Sequence, residues 1–76
     1  MRPYEALANA IVEKAAEDYR TALKYSYMHP GDRKYSEDVS NIEKFFNSPW
    51  YALLTNLDAD FLMENIKVRV RREVRV

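Results

Sequence analysis

From Tyr4 onward, apolar residues recur at Leu7, Ala8, Ile11, Val12, Ala15, Tyr19, Ala22, Leu23 and Tyr27. This is the three-or-four spacing of one helical face. Glu13, Glu17, Arg20 and Lys24 fill the other side, with Arg20 placed to meet Glu17 one turn earlier. The spacing predicts a first helix over about 4–27. Pro30 has no amide donor and restricts the residue before it, while Gly31 takes positive φ readily, so a turn is expected after His29.

A second helix is predicted over about 37–46. Ser36 would be its N-cap, with Glu37 and Asp38 in the first turn, where acids complement the helix dipole. Val39, Ile42, Phe45 and Phe46 would share its inner side. Ser48-Pro49 then supplies a cap oxygen and a proline at the first helical position, predicting a short helix over about 49–55. Asp58-Ala59-Asp60 opens a last one over about 59–70. Past Ile66 two periods compete. Leu62, Ile66, Val70 and Val74 recur every fourth residue, whereas Ile66, Val68 and Val70 alternate with Lys67, Arg69 and Arg71 as a half-buried strand does. The expectation is helix to about Val70, then a frayed or extended basic tail over 71–76. The fold class is therefore all-α: a small three- to four-helix bundle, one domain over 1–76.

Composition narrows the functional classes. A chain of 76 residues makes one domain that buries only about 60% of its unfolded surface, and a single Gly leaves few of the turns an all-β domain needs. There is no Cys, hence no disulfide framework and no thiolate metal site. No stretch resembles a signal peptide or a span of about 20 apolar residues, so a cytoplasmic setting without membrane contact is expected. Twelve basic and twelve acidic side chains cancel, leaving no overall field to steer nucleic acid. The cations are concentrated at the end, where Lys67, Arg69, Arg71, Arg72 and Arg75 face only Glu73.

The chemistry of catalysis is thinly represented. His29, the only histidine, sits between Met28 and Pro30 in an expected exposed turn, with no partner of the kind a general base requires. Asp58 and Asp60 read as cap and first-turn acids rather than as a metal pair. One glycine cannot build a phosphate cradle. No enzyme activity, cofactor or metal is expected.

Five of the ten aromatic residues fall within 42–62. Phe45, Phe46, Trp50 and Phe61 are assigned to the core, because so small a domain needs bulky residues inside. Tyr25, Tyr27 and Tyr35 flank the turn and form a candidate protein-contact site. Lys67, Arg69, Arg71, Arg72 and Arg75 form a second candidate, able to neutralise phosphates. Self-association is a third route, through either strand pairing of 66–71 or a seam of Leu62, Ile66, Val70 and Val74, giving a homodimer.

The segments Ala15-Ala16-Glu17-Asp18-Tyr19-Arg20 and Ile42 to Thr55, with its FFxSxWYxxLTxxD pattern completed by Asp58, resemble small proteins encoded in prophages and other mobile elements of Gram-positive gut bacteria. Ala59 departs from that pattern, in which a glycine follows the aspartate. The resemblance implies a genetic setting and no mechanism. Together these readings point to a non-catalytic accessory protein that acts through protein–protein contacts in the cytoplasm. The alternative is a small DNA- or RNA-binding regulator that uses the basic tail.

Overall fold

Three of the helices begin where the sequence offers a substitute for the hydrogen bonds a helix start lacks. The computed structural model describes residues 2–74. It contains α1 (Pro3–Met28), α2 (Arg33–Phe46), α3 (Pro49–Leu54) and α4 (Ala59–Val74), and no strand among the described residues. The fold is an all-α helical bundle.

α1 starts with Pro3 at a position where no amide donor is needed. Its 26 residues rise about 39 Å at ~1.5 Å each, nearly the whole 41 Å length of the molecule. The His29 amide donates to the Tyr25 carbonyl at 2.9 Å, ending the helix, and the Asp32 amide donates to the His29 carbonyl at 3.1 Å, closing a turn. Pro30 and Gly31 occupy its two central positions, and Gly31 has φ 94°, the left-handed value that a turn with proline first and glycine second calls for.

The next helix begins earlier than the sequence pattern suggests. The Asp32 carboxylate accepts from the Lys34 amide at 3.0 Å, so Asp32 and not Ser36 is the N-cap of α2. The Ser36 hydroxyl instead donates to the Arg33 carbonyl at 3.3 Å inside the first turn. The four-residue Pro-Gly turn already reverses the chain, so a cap at Asp32 lets one more turn of helix form, and each added residue extends a helix whose costly nucleus is already made.

Ser48 does two jobs at the next corner. Its hydroxyl donates to the Phe45 carbonyl at 2.6 Å and accepts from the Tyr51 amide at 3.3 Å, so the end of α2 and the start of α3 share one side chain. Asp58 caps α4 by accepting from the Phe61 amide at 3.0 Å. α4 continues to Val74, which corrects the expected frayed or extended tail over 71–74; 75 and 76 lie outside the described residues. Met63, Ile66 and Val70 are buried on one side of α4, and that placement requires the helical period rather than the alternation of a strand.

α1 is the spine, touching α2, α3 and α4. The core joins them through an aromatic ladder. The Tyr19 ring of α1 lies edge-on to Phe46 of α2 at 5.6 Å, and Phe46 lies edge-on to Tyr51 of α3 at 5.5 Å, with Phe45 packed beside both Phe46 and Tyr51. Such pairs contribute about 0.5–1.5 kcal/mol beyond their burial. The Tyr51 hydroxyl donates to the Leu57 carbonyl at 2.9 Å, fastening the loop before α4. Val12, Leu23, Met63, Ile66 and Val70 complete the interior.

Two aromatic residues expected inside are outside. Trp50 is 55% exposed and Phe61 65% exposed. A six-residue helix has one inward side, taken in α3 by Tyr51 and Leu54, and Phe61 lies roughly 200° around α4 from the buried Met63. The apolar face of α1 likewise runs past its cover, because Tyr4 and Leu7 are exposed and burial begins at Ala8.

Phe46→Ala is expected to cost about 3–5 kcal/mol, close to the whole stability of a domain this size, and to leave the chain largely unfolded by circular dichroism at room temperature. Trp50→Ala should move the midpoint of a urea titration little; equal losses for the two would contradict the placement of the core. Gly31→Ala should lower stability by about 1–2 kcal/mol, measured by thermal melting, purely through the backbone, since a Cβ there meets nothing within 4 Å.

Candidate functional site

The turn after α1 gathers three aromatic rings into a triangle. Tyr25 is one turn from the end of α1, His29 caps that helix, and Tyr35 lies in the first turn of α2. Because the Pro30-Gly31 reversal is tight, Tyr35 comes back against Tyr25, with ring centroids 5.5 Å apart and planes 21° from parallel. His29 stacks on Tyr35 at 5.5 Å and on Tyr25 at 6.4 Å. Lys34 places its ammonium 6.0 Å from the Tyr35 ring centre, which shows where a cation is drawn on this surface.

Beside the stack, an open groove of about 490 Å³ runs between α1 and α2. Tyr25, Tyr35 and Ile42 form its apolar wall, and Asp18, Asp38 and Asn41 its polar one, with Lys34 also on its lining. Asp18 is held by Lys14 at 3.1 Å, an ion pair at a well-exposed position. The hydrogen bond from Lys14 to Asp18 also holds the lysine pKa above its ordinary value. Tyr27 does not join the stack: two residues past Tyr25, it points about 200° around α1, and it remains part-exposed. Two of the three candidate tyrosines are thus brought together, with His29 packed against both.

The basic candidates are dispersed. The Lys67 ammonium lies 3.7 Å from the Glu43 carboxylate, which also accepts the Tyr19 hydroxyl at 2.6 Å. Glu73 pairs with Arg20 across the α1–α4 seam, correcting the expected Arg20–Glu17 contact, and the hydrogen bond from Arg20 holds the Glu73 carboxyl below its usual range. Arg69, Arg71 and Arg72 are exposed along α4, and Arg75 lies outside the described residues. Among the described residues, no group of three or more His, Cys, Asp or Glu could hold a metal ion, and no helix is long and apolar enough to cross a membrane.

The Tyr19–Glu43–Lys67 chain escaped the sequence reading. Tyr19 is fully buried, and its hydroxyl needs a partner that only tertiary packing supplies. A signal existed in Glu43, an acid on the inner side of α2 between Ile42 and Phe46. The exposure of Trp50, Leu53, Leu57 and Phe61 was also missed, because aromatic content alone does not say which side of a short helix faces in. In comparisons with protein-family models, curated proteins and solved structures, the chain matches none.

Burial first, and the hydrogen bond to Glu43 second, push the Tyr19 pKa well above its ordinary value of 10.0. The neutral phenol is favoured in the folded state, so its contribution is complete below the unfolded pKa and is lost as pH rises above about 10. At pH 7 Tyr19→Phe should be about 1 kcal/mol less stable than the parent. Above pH 10 that gap should close by about 1.4 kcal/mol per pH unit, because only the parent can ionise here on unfolding. Urea titrations of both proteins at pH 7, 10 and 11 measure it, and a constant gap would be inconsistent with the buried phenol.

Proposed function

We propose that this chain is a non-catalytic protein-interaction module, whose recognition surface is the α1–α2 groove walled by Tyr25 and Tyr35. The observation that carries the reading is the stacked Tyr25–His29–Tyr35 surface, ordered in place by a tight turn. Aromatic side chains held in one geometry lose little freedom on binding and are frequent anchors of interfaces. Asp18 and Asp38 on the groove, and the ring face that already draws Lys34, favour a partner segment carrying a lysine or arginine. The Lys14–Asp18 pair is an exposed pair screened by solvent, so an incoming cation displaces it at little cost.

In this reading the module occludes or scaffolds a cytoplasmic protein of its host, and the resemblance of 42–55 to prophage proteins supplies the mobile-element setting. The nucleic-acid alternative draws less support, since Lys67 is engaged by Glu43 and the chain carries no net charge to steer a polyanion.

Capture from host lysate by the immobilised protein, with nuclease present, should return a protein partner at near-physiological salt. The Tyr25→Ala/Tyr35→Ala double variant should weaken that capture on the order of 30-fold, matching the ~2 kcal/mol of an interface hot spot. Capture of nucleic acid alone, collapsing as salt rises and lost in Arg71→Ala/Arg72→Ala, would overturn the proposal.

A further inference from the structure

The outer face of α4 carries a charge pattern that is its own complement. Asp58, Phe61, Asn65, Arg69 and Arg72 are all exposed. At about 100° per residue they fall within a stripe roughly 80° wide, on the side away from the buried Met63, Ile66 and Val70. Along it the sequence reads acid, aromatic, amide, cation, cation. Asp58 and Arg72 stand seven residues either side of Asn65, and Phe61 and Arg69 stand four either side. A groove of about 270 Å³ follows the same line between Leu57, Phe61, Leu62, Asn65, Ile66 and Arg69.

We propose that this stripe is a homodimer interface, in which two copies pair their α4 helices antiparallel about a two-fold axis at Asn65. A two-fold interface requires that if one residue meets another, the reciprocal contact is also made. Here the axis sets Asp58 opposite the second copy's Arg72, Phe61 opposite Arg69 and Asn65 opposite Asn65, so the ion pair and the aromatic–guanidinium contact each form twice. A parallel pairing would set Asp58 on Asp58 and Arg72 on Arg72. The zero net charge of the chain adds no long-range repulsion between copies. Leu57, 45% exposed, lines the groove at the Asp58 end and extends the apolar contact. This dimer is not the seam expected from the sequence, because Ile66 and Val70 are buried in the core of each copy. It uses no residue of the α1–α2 groove and stands independently of the proposed partner.

The test is a charge exchange read by sedimentation equilibrium over a concentration series. The parent chain should show a monomer–dimer equilibrium. Arg72→Glu and Asp58→Lys should each raise the dissociation constant at least tenfold, and their equimolar mixture should recover most of the affinity as a heterodimer. Asp58 also caps α4, so a second exchange at positions without that duty, Phe61→Lys with Arg69→Glu, should show the same loss and recovery, with circular dichroism confirming unchanged helix content. A parent chain that stays monomeric at millimolar concentration overturns the proposal and leaves the stripe to another molecule. So does a dimer indifferent to both exchanges.

Discussion

The burial of Tyr19 is the constraint on which the other elements depend. Its ring has no exposure, its edge contact with Phe46 ties α1 to α2, and its hydroxyl fixes Glu43 in reach of Lys67 from α4. Phe46 passes the contact to Tyr51, and the Tyr51 hydroxyl holds the loop that launches α4. Four helices are therefore connected through three aromatic rings and two phenolic hydroxyls. A chain of this length cannot fill a large interior with aliphatic residues. Tyrosine supplies aromatic bulk together with a polar end that satisfies a carboxylate or a carbonyl at the edge of the core.

That economy explains where the charges went. The sequence concentrates cations near its end, but α4 lies against α1, and Lys67 and Glu73 become internal ties to Glu43 and Arg20. Packing thus converts part of a basic segment into structural pairs and leaves Arg69, Arg71 and Arg72 on the surface. The pairs are part-exposed and individually weak, so they orient α4 more than they hold it; Met63, Ile66 and Val70 hold it.

The features legible from sequence are those decided locally. Ser48-Pro49 and Asp58 start helices because a cap oxygen acts on amides two or three residues away, and the Pro30-Gly31 reversal needs only its own backbone. Asp32 was overlooked as a cap because Ser36 followed by two acids offers the same local signal; the choice fell to the longer helix. The valine–arginine alternation after Ile66 mimicked a strand, and only a neighbouring α1 surface able to take Ile66 and Val70 decides for the helix. Trp50 and Phe61 were misplaced for a related reason: composition predicts that bulky residues are inside, whereas orientation on a short helix decides which ones are. Of the candidate site, the neighbourhood of Tyr25 and Tyr35 follows from one tight turn, while the outward face of Tyr27 follows from the helical repeat alone.

The aromatic ladder fills the interior so completely with Tyr19, Phe46 and Tyr51 that the remaining rings are left for surfaces. Four of the rings fall on two separate ones, the Tyr25–His29–Tyr35 stack on α1 and α2 and the Phe61 stripe on α4. If the stripe pairs two copies, each retains its own groove, and the assembly presents two identical recognition surfaces held at a fixed separation. A bivalent scaffold gains avidity whenever its partner also repeats, by making the second encounter intramolecular. In the proposed arrangement the division of labour needs no larger chain: α1 and α2 would recognise, α4 would duplicate, and the buried Tyr19 ties α1 to both α2 and α4.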